Sequence, residues 1–174
     1  MFGKAWYYCN SYCFSYDFDL GEAKRYADMT YPKSYSSYGI KSVRMDYVHL
    51  LISSQSKLEV VRLTNGGIAI VTIENIDGLS TKVGCAVRFT DYSFLYIGGE
   101  KAVEINIITN TYTELPGVLN HKREYFGCDV VDMGGGETVI VAGGKGSEAS
   151  KTSEYYDRST QSWKLTGGNL IYPR

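Results

Sequence analysis

The residues of this chain best suited to hold a metal or act as a nucleophile are four cysteines and two histidines: Cys9, Cys13, Cys85, Cys128, His49 and His121. A structural zinc site draws four Cys or His ligands together, usually as two closely spaced pairs. Cys9 and Cys13 are four positions apart, and no second close pair exists to complete a site. The cysteines therefore read as core thiols. A Cys9–Cys13 disulfide between neighbouring strands is the alternative, and a cytosolic redox poise would oppose it. His49 lies in an apolar run and reads as a core histidine, while His121 lies in a polar loop. No G-x-S-x-G turn is present. Gly134-Gly135-Gly136 lacks the following Lys-Ser/Thr and helix of a phosphate loop, so it reads as a hairpin loop. The acidic residues are scattered, with no identifiable pair for glycoside hydrolysis. No catalytic residue, no metal and no cofactor is expected, and the chain does not read as an enzyme.

The elements that would position any site must come from 174 residues, 44% of them hydrophobic and 21% charged, with a net charge of -1. A near-neutral chain lacks the basic field that attracts nucleic acid and the polybasic signal for a membrane surface. Three prolines exclude collagen-like and proline-rich disorder, and 16 tyrosines with 19 glycines favour strands and tight turns. No secretory leader, no apolar run long enough to span a bilayer and no N-x-S/T acceptor is visible, so a cytoplasmic location is expected.

Self-similarity organises the chain. Thr138-Val-Ile-Val-Ala-Gly143-Gly144 leads to Glu154-Tyr155-Tyr156-Asp157, then Trp163, then Pro173-Arg174. Upstream, Phe94-Leu-Tyr-Ile-Gly98-Gly99 leads to Val103-Glu-Ile-Asn106, Tyr112 and Lys122-Arg123. Arg174 follows Arg123 by 51 positions and Trp163 follows Tyr112 by the same interval, whereas the glycine doublets are 45 apart. The loop-like stretch 146–152 accounts for the difference. The pattern returns in decayed form with Cys9-Asn10 and Ser53-Ser54 in place of the doublet. A further strand precedes each later doublet, at 38–40, 83–87 and 126–130. No segment sustains a helical apolar period; 23–29 reads as the lead-in to a strand or a turn. The count is fifteen strands, three in the first repeat and four in each of the others.

These motifs resemble the kelch repeat, most closely over 137–174, and the register extends across the whole chain. The resemblance implies an all-β fold: a single kelch-type β-propeller sector over 1–174, about four blades of antiparallel four-stranded sheet (approximately 1–46, 47–91, 92–136 and 137–174), and incomplete. It is read as a fragment of a longer protein in preference to a self-associating chain. Gly98, Gly99, Gly143, Gly144, Tyr156, Asp157 and Trp163 are its structural residues. The aromatic Trp163, and likewise Tyr112 and Tyr26, would wedge between sheets, and Asp157 or Asn106 would supply an acceptor to the turn that follows.

The resemblance also implies a binding rim, where the connections before the first and after the second strand of each blade gather. Lys33, Tyr35, Glu100, Lys101, Arg123, Tyr125 and Lys145 fall there and would suit a protein or peptide segment that is acidic or carries aromatic groups. An alternative for Arg123 is to brace the junction between blades. Tyr125 stands where better-known kelch adaptors often place Arg. The implied function is a non-catalytic protein-binding module, in the context of substrate recognition for a cullin-type ubiquitin ligase whose other subunits bind through a part outside this chain. The alternatives are an actin-linked scaffold, or a galactose-oxidase or sialidase-like enzyme.

Overall fold

The computed structural model describes residues 5–9, 12–17, 22–28, 41–44, 49–53, 57–62, 68–81 and 83–172; for residues 5–53, 61 and 68–70 it describes the backbone alone. Fifteen strands are present among the described residues. The first three are β1 (Ala5–Cys9), β2 (Tyr12–Asp17) and β3 (Glu22–Asp28), which form one antiparallel sheet in chain order. Segment 23–29, read as a lead-in or turn, is thus mostly strand. A second sheet holds β4 (Lys41–Arg44), β5 (His49–Ser53), β6 (Lys57–Arg62) and β7 (Ile68–Glu74). The strand expected at 38–40 lies outside the described residues; β4 begins directly after them at Lys41.

A third sheet holds β8 (Cys85–Thr90), β9 (Ser93–Gly98), β10 (Lys101–Asn106) and β11 (Thr111–Glu114). The fourth holds β12 (Gly127–Asp132), β13 (Glu137–Ala142), β14 (Thr152–Asp157) and β15 (Ser162–Asn169), with a short 3-10 turn at Ala149–Lys151. Every sheet is an antiparallel meander, and the strands number three, four, four and four. The chain divides into two compact units, Met1–Glu74 and Asn75–Arg174.

In the second unit a continuous apolar run makes β9 buried along its whole length, as suits a strand covered on both faces. In β14, Glu154 and Tyr156 are buried on one face while Tyr155 and Asp157 on the other are half-buried. The core lies between the third and fourth sheets. Leu95, Ile97, Ala102, Val139, Val141 and Trp163 belong to it, and each large apolar side chain buried there contributes about 1.5–3 kcal/mol. Tyr156 stacks edge-on against Trp163, with centroids 5.3 Å apart, and against Phe89 at 6.4 Å. Trp163 lies within β15. Tyr112 behaves differently from the expected wedge: it sits on β11, whose four residues are all exposed, and it keeps 40% of its surface. The sidewall of an uncovered outer strand gives its ring nothing to fill. Tyr26 lies where only the backbone is described.

The glycine doublets permit close backbone contact. Gly99 has φ +70 and Gly144 φ +103, a region that side chains disfavour. A Cβ on Gly99 would lie 2.6 Å from the Gly78 carbonyl oxygen, and one on Gly144 2.7 Å from that of Glu124. Turns are closed by side chains at the ends of β10 and β14. Asn106 Oδ1 accepts from the Ile108 and Thr109 amides, and Asp157 Oδ1 accepts from the Ser159 and Thr160 amides.

Candidate functional site

One end of the second unit gathers the connections singled out from sequence. The Arg123 amide donates to the Gly99 carbonyl at 2.9 Å, the Leu119 amide to Glu100 at 2.9 Å and the Lys145 amide to Glu124 at 2.6 Å. Main-chain bonds thus tie the segments around 98–101, 119–125 and 143–146 into one rim.

Beneath that rim lies a buried ion pair. Arg123 and Glu154 are both fully buried, with Nη2 to Oε1 at 2.8 Å. Arg123 Nε also donates to Oε1 at 3.1 Å, and Nη1 donates to the carbonyls of Gly143, Ala149 and Thr152 at 2.8–2.9 Å. Its Nη2 reaches Thr152 Oγ1 at 2.8 Å. Glu154 Oε2 accepts from the Asn120 amide at 2.6 Å and from Asn120 Nδ2 at 2.9 Å, and Oε1 accepts from the His121 amide at 3.1 Å. A buried charge is tolerable only when paired and hydrogen-bonded, and this one is. Arg123 is therefore corrected from a partner-binding residue to a brace: its donors are spent inside, out of a ligand's reach.

The other rim candidates divide. Tyr125 is exposed and holds φ +56, a conformation that costs a non-glycine residue energy. It is held from both sides, by buried Arg123 two residues before it and by buried Phe126 next to it. Lys145 and Lys122 are exposed. Lys101 is half-buried and ion-paired with Glu114, which holds the Lys101 ammonium above its ordinary pKa. Glu100 is half-buried. Lys33 and Tyr35 lie outside the described residues.

The cysteines depart from expectation. Cys85 on β8 and Cys128 on β12 form a disulfide, with Cα atoms 6.0 Å apart. A signal for it lay in the sequence: Gly84-Cys85 and Gly127-Cys128 occupy equivalent places in consecutive repeats, so neighbouring sheets bring them face to face.

At the other end of the same strands is a cleft of about 710 Å³, lined in part by Arg88, Phe89, Val130, Glu137 and Arg158. The Arg158 guanidinium stacks over the Phe89 ring at 4.1 Å, and its Nη2 donates to the Phe89 carbonyl at 2.9 Å. Sequence reasoning missed this contact between the sheets, because an Arg in a hairpin turn carries no signal of what lies across from it. Among the described residues no group of three His, Cys, Asp or Glu is placed to hold a metal ion. No helix among them is long and apolar enough to cross a membrane.

Antiparallel sheets with a braced loop rim define a class of architecture. No family model matches the chain, and no curated protein matches it.

Proposed function

We propose that this chain is a portion of a kelch-like propeller that works as a non-catalytic protein-binding module, with the rim around Tyr125 as its recognition surface. The observation that carries the reading is the contrast within one loop. Arg123 is immobilised by its buried carboxylate and carbonyl partners, while Tyr125 is displayed in a left-handed backbone conformation two residues later. A rigid base under an exposed aromatic lowers the ordering cost of binding. Lys122 and Lys145 on the same rim suit an acidic peptide segment with an apolar or aromatic anchor.

The test is selection of a displayed random-peptide library on the immobilised full chain. Enriched acidic peptides should lose at least tenfold in affinity, about 1.4 kcal/mol, against the triple variant Tyr125→Ala, Lys122→Glu, Lys145→Glu. Peptides that bind the triple variant equally well would remove the rim from the reading. The ubiquitin-ligase and actin-scaffold contexts both presuppose a reducing cytosol, and the cysteine pairing bears directly on that.

A further inference from the structure

The third and fourth sheets meet along β8 and β12, yet no ladder of main-chain hydrogen bonds joins these strands, since each stands at the end of its own sheet. The Cys85–Cys128 disulfide spans the seam. Its two residues are half-buried against the apolar cluster that contains Val87, Leu95 and Val141. They occupy the same place in consecutive repeats, so the bond ties sheet to sheet and closes a sequence separation of 43 residues. A second, independent observation concerns the other two cysteines. The β1–β2 register sets Cys9 directly opposite Cys13. All four cysteines of the chain thus fall into two facing pairs. Neither pair has the C-x-x-C spacing of exchange catalysts, and Cys85 and Cys128 both lie on strands.

We infer that Cys85–Cys128 is a permanent structural cross-link, and that the protein is made and works in an oxidising compartment outside the cytosol. The inference stands apart from the peptide-binding reading. The chemistry balances through thiol–disulfide exchange. One cysteine thiolate attacks a disulfide-bearing carrier, either an oxidoreductase or oxidised glutathione, and expels one carrier thiolate. The second cysteine thiolate then attacks the mixed disulfide and expels the other. Two thiols lose two protons and two electrons, and the carrier disulfide is reduced to its thiols. In a reducing pool the same exchange runs backwards.

The test traps thiols in the endogenous protein, by acid quench and N-ethylmaleimide, followed by digestion without reductant. The expected result is a cross-linked peptide pair joining Cys85 to Cys128, lighter than its parts by two hydrogens, with neither cysteine labelled. N-ethylmaleimide on both residues in the folded endogenous protein would overturn the inference. The full chain produced through a secretory pathway is then melted before and after reduction. A melting temperature lower by about 5–15 °C in the reduced form is expected, with the Cys85→Ser, Cys128→Ser double variant melting at the reduced value. Identical melting of oxidised and reduced protein would overturn the structural role. Failure of peptide binding alone touches neither outcome.

Discussion

Two residues before the glycine doublet, β9 places Tyr96 opposite Val103 on β10. In the next sheet the pair at the same place is Val141 on β13 opposite Glu154 on β14. All four side chains are buried. The polar group has moved from the second strand to the third. In the first case the Tyr96 hydroxyl donates to the Ser80 carbonyl at 2.9 Å; in the second Glu154 holds Arg123. The Glu100 amide bond to Gly78 and the Lys145 amide bond to Glu124 are equivalent, so Asp77 stands where Arg123 does. Asp77 is exposed and Val103 is apolar: cation and carboxylate were replaced together. One backbone solution is therefore compatible with a neutral brace or an ionic one, provided that both ends change in concert.

The largest effect should come from breaking the ionic brace on one side. Arg123→Ala leaves the Glu154 carboxylate buried without its cation and should cost about 3–5 kcal/mol in urea unfolding. The double variant Arg123→Met, Glu154→Leu removes both charges and should recover most of that loss. If it stays as unstable as Arg123→Ala, the hydrogen bonds to the loop carbonyls matter more than the charge. Reducing the Cys85–Cys128 bond should cost about 2–4 kcal/mol in the same assay, because a loop of that length is released in the unfolded chain. Tyr96→Phe removes a single neutral hydrogen bond and should cost about 0.5–1.5 kcal/mol. A loss as large as that from Arg123→Ala would erase the contrast between the two sheets.

The smallest effects are those of pH. Burial raises the Tyr96 phenol well above its ordinary value. The native state then holds this proton more tightly than the unfolded chain, so the contribution is complete below about pH 10 and falls as pH rises further. In the other sheet Lys164 holds the Asp157 carboxyl far below its usual range, with help from Ser159. That contribution is present above about pH 4 and is lost as pH falls from there. Amide shifts of Ser159 and Thr160 should report loosening of the β14–β15 turn in acid while the neutral-pH turn stays intact, and tyrosinate absorbance should show Tyr96 silent until the protein unfolds in alkali.

Much of the architecture was legible because the repeat carries its own punctuation. Glycine doublets, apolar runs and terminal Asp or Asn residues mark strand ends through local sterics and turn chemistry, and local rules can be read from one sequence. The choice between the two readings of Arg123, rim contact or brace, was not, since a basic residue in a loop looks the same whether it faces water or a carboxylate thirty residues on. The disulfide needed one more step: equivalent positions in adjacent repeats become spatial neighbours. Tyr112 illustrates the reverse limit. Its spacing matches that of Trp163, but burial depends on what covers the outer strand, and that is a property of the assembled sheets.

The main-chain bonds between the 119–125 segment and the doublets have a consequence for how such a rim could change over time. Because peptide groups and glycines hold these loops, the side chains at 122 and 145 are under little obligation to the scaffold. They could be exchanged wholesale, in evolution or in a grafted library, and the surface would acquire new tastes without the underlying frame having to be rebuilt.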